Sequence, residues 1–387
     1  MRFVIIGAGI IGSAIARELA GKGRGEVTVL EKENRLGEHA SGRNSGVLHS
    51  GINQRPGTLK ARMCVEGNRR ACRFCREHGV NMEECGTLVV ARNEREEEAL
   101  RHLLDLGVRA GVQGLRLLDR EELHQREPEV VGTRAMLSPN GAIVDSEGFL
   151  EAVADEAKAL GAVFRMGAEV REVPGNRVIT DKEEYPATHI INCAGLYSDK
   201  IAHMMGLGLD YRIIPFRGEY MELKNVNLNS MVYQVPDLRY PFLGVHLTKT
   251  VEGKVLAGPT AMLSFGRESY HKEIDFAETL SMLGTVNFWR LVFSWEFLKV
   301  AAHNARISFS DRAFLEEIRT LWPDASIKDI IPYRSGVRAQ MVDHRGKMVD
   351  DMLVEFRGNS THVLNAVSPG LTSSLAFAEY VVERIVS

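Results

Sequence analysis

A glycine-rich hexapeptide, Gly7-Ala-Gly-Ile-Ile-Gly12, constrains this chain more than any other feature, because of what stands on either side of it. Before it runs Arg2-Phe-Val-Ile-Ile6, an uninterrupted apolar run of the kind a strand buried on both faces shows. After it, Ser13 to Ala20 reads as helix, and Val27-Thr-Val-Leu30 as a second strand that delivers Glu31, nineteen residues past Gly12. A GxGxxG alone is weak, but between a strand and a helix, with an acid at that distance, it is the fingerprint of a dinucleotide-binding βαβ unit. Gly7 then allows the sharp turn, Gly9 lets the backbone approach a pyrophosphate, and Gly12 permits close helix–strand packing. The helix start at Ile10 and Ile11 faces the phosphates. Glu31, followed by Lys32, accepts from ribose hydroxyls and repels a 2′-phosphate, which argues against NADP.

A chain of 387 residues exceeds one compact core and fits two joined domains. The net charge of -3 leaves no basic excess for a phosphate backbone, so nucleic acid is a poor partner. No uncharged run is long enough to span a bilayer, and the N-terminus has no secretory pattern. Five scattered cysteines suit reduced thiols in the cytoplasm. Cys72 and Cys75 form one CxxC within a predicted helix, Leu59 to His78, and read as packing residues rather than a redox pair. No zinc-type spacing accompanies them, and no metal site is expected.

Residues 39–51 have no periodicity and form a loop rich in Gly, Ser, His and Asn. Short strands and charged helices alternate from 81 to 140, including helices at Asn93 to Leu106 and Asp119 to Arg126. Ser146 is placed as the cap of a helix running to Ala159. Val163 to Met166, Ala168 to Val173 and Arg177 to Thr180 look like a small antiparallel set. Thr188 to Cys193 is another buried strand. Strands are expected over 211–265, helices over 275–322, and a last helix from Thr372 to Ile385.

The break after one βαβ unit, the loop that carries His49, and the late return of nucleotide-domain strands together resemble the D-amino-acid-oxidase-like flavoprotein superfamily. Within it the chain is similar to the L-2-hydroxyglutarate dehydrogenases and oxidases, nearly end to end. The blocks that carry the likeness are Ser41-Gly-Arg-Asn-Ser-Gly-Val-Leu-His-Ser-Gly51, Cys193-Ala-Gly-Leu196, Pro215-Phe-Arg-Gly-Glu-Tyr220 and Pro241-Phe-Leu-Gly-Val-His-Leu-Thr248. Gly258-Pro-Thr-Ala261, Gly336-Val-Arg-Ala-Gln340 and Ser368-Pro-Gly-Leu-Thr372 complete them. Soluble glycerol-3-phosphate oxidases share Asn-Ser-Gly-x-x-His-x-Gly and Ser-Pro-Gly-Leu-Thr, so they stand as the alternative.

The resemblance implies FAD as cofactor. It is held by the glycine motif, by Glu31 and Lys32, by Ser41, Asn44, Ser45 and Gly46 of the loop, by the backbone at Val170, by Ala194 and Gly195, and by Gly370, Leu371 and Thr372. At those last residues a helix start presents N–H groups to the flavin pyrimidine edge, where negative charge grows on reduction. Three roles stay open for His49: general base for the hydroxyl proton, covalent flavin link, or structural histidine, the first favoured because its pKa suits the task. An anionic substrate needs fixed cations, and Arg338 is the leading candidate, followed by Arg217. Tyr220, Tyr233 and His246 line the pocket or meet the distal carboxylate.

The expected fold is α/β: a Rossmann-like FAD-binding domain from 1–80, 141–211 and 330–387, interleaved with a mostly antiparallel cap domain from 81–140 and 212–329. The expected reaction is oxidation of L-2-hydroxyglutarate to 2-oxoglutarate by hydride transfer from C2 to flavin N5. The acceptor is oxygen, quinone or another redox protein. A flavin-binding subunit without turnover is the reading from another class. The apolar stretch 286–300 admits packing within the cap, which is favoured, or peripheral membrane contact.

Overall fold

The computed structural model describes residues 1–236, 244–366 and 368–386, so residues 241–243 of the block that opens at Pro241 lie outside the described residues. The buried strand Arg2–Ile6 is central in a six-stranded sheet. Its order is Leu353–Arg357, Ser360–Asn365, His189–Asn192, Arg2–Ile6, Glu26–Leu30 and Val163–Arg165. All neighbours run parallel except the hairpin of the two C-terminal strands. Alternation sends Phe3 and Ile5 to one face and Val4 and Ile6 to the other, and both faces are covered. Phe3 and Ile5 meet the helices α1 (Ile10–Gly21), α2 (Leu59–His78), Ser146–Ala159 and Gly370–Val386, through Ile15, Leu19, Phe74, Phe149 and Phe377. Val4 and Ile6 meet Val173, Val178 and Ala187 of a small antiparallel sheet, Val170–Glu172, Arg177–Thr180 and Glu184–Pro186, and its connections.

A nine-stranded, mostly antiparallel sheet forms the second layer. It is built around Arg212–Leu223, which pairs with Val255–Gly258 on one edge and with Ile330–Val342 along its length. The strands His246–Lys249, Met231–Gln234 and Thr87–Ala91 continue the sheet towards residues 116–138. Four helices, Phe276–Leu283, Val286–Val292, Trp295–Phe309 and Asp311–Arg319, make up the excursion expected over 275–322.

Three local expectations need correction. Val163–Arg165 leaves the antiparallel set and extends the parallel sheet beside Glu26–Leu30, because Thr28 to Leu30 still offers a free edge. The cap of Ser146–Ala159 is Asp145, whose carboxylate accepts from the Glu147 and Gly148 N–H groups at 3.1 Å. The crossing back to the parallel sheet comes later than 330, since Ile330–Val342 is first paired residue for residue with Arg212–Leu223. The five cysteines are free and buried; burial raises Cys72 to about 11 and Cys75 to about 12, as befits packing residues of α2.

His362, fully buried in the parallel sheet, bonds Ser360 Oγ at 3.1 Å and Asn192 Nδ2 at 3.3 Å. Burial lowers its pKa to about 4. Native His362 is therefore neutral, and its contribution is complete above the unfolded value near 6.5 and lost as pH falls towards 4. The loss is up to about 3 kcal/mol. The thermal midpoint is expected to drop steeply between about pH 6.5 and 4.5, and His362→Gln to flatten that slope. An equally steep slope in the variant would show that other groups control it.

Candidate active site at the junction of two cavities

The glycine motif creates the entrance to the site. Gly7 takes a φ of +102°, a conformation side chains rarely adopt, and a Cβ on Gly12 would stand 1.9 Å from the Gly7 carbonyl oxygen. With no Cβ at either place, α1 begins directly beyond the strand. Its first turn borders a cavity of about 260 Å³ lined by Gly9, Ile10 and Ile11 and also by Gly370, Leu371 and Thr372. Two helix N-termini thus open onto one elongated space. No heavy atom lies within 4 Å of a Cβ built on Gly370 or Gly195, so the backbone there faces open space.

The loop 39–46 forms the third wall and is braced by its own side chains. Ser41 Oγ accepts from the Ile10 N–H at 3.0 Å. Asn44 donates to the Ser41 carbonyl at 2.7 Å and accepts from the Gly46 N–H at 2.8 Å. Ser41, Asn44 and Ser45 line the cavity, whereas Gly46 lies behind it, its φ of +67° needed where a Cβ would meet the Val144 carbonyl at 2.4 Å. Gly336 brings the cap sheet onto this loop, since a Cβ there would lie 2.3 Å from the Arg43 carbonyl oxygen. Glu31 accepts from the Ala8 N–H at 2.9 Å and the Glu33 N–H at 3.0 Å, which aims it at the end of the first strand. Ala194 donates its N–H to Asn192 at 3.2 Å. Val170 heads an edge strand of the small sheet, away from both cavities. Lys32 is engaged by Glu33 at 2.5 Å and Glu268 at 2.6 Å. That ammonium occupies the cluster of Glu33, His39 and Glu268, the only grouping of metal-type ligands among the described residues.

A second cavity, of about 920 Å³, adjoins the first. Ser45, His49, Tyr220, Pro259, Arg338 and Ser368 line both, so they form a shared wall. His49 is held there by its backbone N–H, which donates to Thr372 Oγ1 at 3.0 Å, while the Thr372 hydroxyl is 3.3 Å from the Val47 carbonyl. Enclosure lowers the His49 pKa to about 4, aided by the positive charges of Lys60 and then Arg338. The imidazole is therefore neutral at physiological pH. Burial lowers the pKa of Arg338, but Tyr220, whose oxygen accepts from the guanidinium, opposes the shift. His246 lines the second cavity only, and burial lowers it to about 3.

Two expected pocket residues lie elsewhere. Arg217 is buried against Glu219, at 3.3 Å, and lines neither cavity. The pairing explains this: Phe216 stands opposite Arg338 and Arg217 opposite Val337, so Arg217 projects from the other face of the sheet. Tyr233 stands behind His246, ring centroids 4.2 Å apart, and does not reach the cavity. Sequence reasoning missed Lys60, in the first turn of α2, whose only signal was its place in the helix following the His49 loop.

The donor set fits FAD. Two helix N-termini, glycine backbone facing open space, and a carboxylate at the strand end suit a pyrophosphate, a flavin edge and a ribose. A family model described as FAD dependent oxidoreductase matches residues 2–384. The L-2-hydroxyglutarate dehydrogenase of Indibacter alkaliphilus is 38% identical, with 98% of this chain and 97% of that protein aligned. The enzymes of that name from Escherichia coli K12 (35%; 99% and 92%) and Homo sapiens, there mitochondrial (34%; 99% and 88%), are similar over comparable lengths. Among solved structures, the FAD-bound L-alpha-glycerophosphate oxidase of Mycoplasma pneumoniae superposes with a TM-score of 0.79 at 24% identity, covering 99% of this chain and 94% of that one. Glycine oxidase of Geobacillus kaustophilus superposes at 0.73 and 20% identity, with the same coverage. The likeness to those structures extends to the fold, but the sequence matches go further: the chain belongs to the FAD-dependent oxidoreductase family and, within it, to the group of the L-2-hydroxyglutarate dehydrogenases.

Proposed function

We propose that this enzyme oxidises L-2-hydroxyglutarate to 2-oxoglutarate, with His49 as general base and Arg338 as the anchor of the carboxylate beside the reacting carbon. The observation that carries the reading is the shared wall: His49, Tyr220 and Arg338 stand where the cofactor cavity meets the second cavity. Bound FAD supplies the two-electron oxidant for the hydride that leaves the substrate C2. Gly9, Ile10, Ile11, Ser41, Asn44, Gly370 and Leu371 line that cavity and would hold it.

The protein's own part begins with Arg338, whose fork of donors matches a carboxylate and is steadied by Tyr220. That fixes the hydroxyl at C2 against the neutral His49 ring, which takes the hydroxyl proton as hydride departs. Because His49 is unprotonated above about pH 4, kcat/KM is expected to hold down to that region instead of failing near 6.5. Thr372 fixes the His49 backbone from behind.

Peripheral membrane contact is proposed through the helical excursion, with the electron acceptor oxygen, a quinone or another redox protein. Phe288, Leu291 and Phe297 are buried beneath it, as packing within the cap requires, but Phe276, Phe293 and Trp295 are at least 70% exposed. Trp289 stacks on Phe293, and Lys299 lies over Trp295, an aromatic and cationic face of the kind that rests on anionic lipid. No helix among the described residues is long and apolar enough to cross a membrane.

The reaction is tested by anaerobic mixing with L-2-hydroxyglutarate, its D enantiomer and glycerol 3-phosphate. Bleaching of the flavin by the L-hydroxy acid alone is expected; bleaching by glycerol 3-phosphate alone would transfer the assignment to that substrate. His49→Gln is expected to keep its flavin and lose ~10²–10⁴-fold in the rate of bleaching. For the membrane contact, the wild type is expected to sediment with phosphatidylglycerol vesicles, and a Phe293→Ser, Trp295→Ser double variant to stay in solution with its rate of bleaching unchanged. A wild type that ignores the vesicles sinks the membrane reading.

A further inference from the structure

A 2-hydroxy acid with two carboxylates needs two cationic partners, and the shared wall supplies one, Arg338. The second cavity extends well beyond that wall, past Asn53 and Gln54 to the first turn of α2. Of the Lys and Arg residues that line it, Arg55 and Arg95 are exposed at the rim, and Lys60 and Arg338 are the two withdrawn from solvent.

Lys60 is firmly rooted. Thr58 caps α2, and the Asp351 carboxylate accepts from the Leu59 N–H at 3.1 Å and the Lys60 N–H at 2.7 Å. The ammonium, on a side chain only 17% exposed, donates to the Asp350 carbonyl at 3.1 Å, with the Asp350 carboxylate at 3.3 Å. The Asp350 side chain is 53% exposed, so that pair is weak and an incoming carboxylate can replace it.

We propose that Lys60 is a specificity-determining residue, taking the distal carboxylate of a dicarboxylic 2-hydroxy acid whose other carboxylate lies on Arg338. This rests on the reaction assigned above and deepens it. Lys60 and Arg338 are also the two cations whose charge presses on His49. A substrate with two carboxylates sets an enclosed charge against each, in place of the half-exposed and solvent-screened Asp350 at Lys60, so His49 gains proton affinity when the correct substrate binds. A monocarboxylic 2-hydroxy acid satisfies Arg338 alone and leaves the base opposed by Lys60. Selection for the diacid therefore operates on turnover as well as on binding.

The experiment compares L-2-hydroxyglutarate with L-2-hydroxybutanoate, which lacks the distal carboxylate, in the wild type, Lys60→Met and Lys60→Arg holoenzymes. The wild type is expected to prefer the diacid strongly. Lys60→Met is expected to lower kcat/KM for the diacid by ~10–100-fold, the worth of one charge-assisted hydrogen bond, and so to erase most of the preference. In Lys60→Met the acid limb of kcat/KM also moves to higher pH, because one cation no longer opposes protonation of His49, and Lys60→Arg restores much of the preference. If Lys60→Met weakens both substrates equally with the acid limb unmoved, Lys60 is structural and the proposal falls. A wild type whose flavin L-2-hydroxyglutarate does not bleach overturns the reaction itself, an outcome the variants cannot mimic.

Discussion

Thr372 joins parts of the chain 323 residues apart. Its hydroxyl, fully buried, lies within hydrogen-bond distance of the His49 N–H and the Val47 carbonyl. A buried hydroxyl is costly unless bonded, so this arrangement fixes the loop end to the N-terminus of the last helix. Everything else at the site is positioned relative to that joint. The last helix packs on α1 and α2 through Phe377 and its neighbours, which sets where its free N–H groups point. The loop that leaves Val47 carries His49 to the shared wall. The cap sheet then closes on the same loop where Gly336 meets Arg43.

How far this was legible from sequence depended on whether the signal was local. The motif at Gly7 to Gly12 works through atoms a few residues apart, and it specified the first βαβ unit. Helix α2 runs from Leu59 to His78 as its periodicity indicates, because Thr58 caps one end and Gly79 turns the other with a φ of +67°. The cap at Ser146 failed by one residue because Asp and Ser are both competent there, and only the extended backbone at Asp145 distinguishes them. The strand Val163–Arg165 was misplaced for a different reason: its pattern is equally compatible with a parallel edge and an antiparallel one. Parallel pairing is set by a partner more than a hundred residues away.

The contrast between Arg338 and Arg217 makes the same point within the site. Both are arginines on neighbouring strands, both in blocks that resemble the same family, and nothing in composition separates them. Register does. One residue of offset sends Arg338 with Gly218 and Tyr220 to the cavity side, and Arg217 to Glu219 on the other. Lys60 was invisible for the converse reason. Its sequence context is that of an ordinary first-turn lysine, and only the fold brings α2 against the residues around Asp350.

Under the proposed mechanism, the electrostatics of the wall explain how a histidine so hard to protonate serves as a base. Alone, an imidazole held near pH 4 would be a poor acceptor for an alcohol proton. Its low proton affinity has two components of different kinds. Enclosure by protein is permanent, whereas the push from Lys60 and Arg338 falls once an enclosed substrate carboxylate lies against each of them in the proposed complex. The cations proposed to bind the acidic substrate are thus the same groups that keep His49 free of protons beforehand. Binding then discharges them in the place where proton affinity is next required. A neutral substrate of equal size would fill the cavity without that change, so the charge of the ligand, and not its volume alone, decides whether the site is competent.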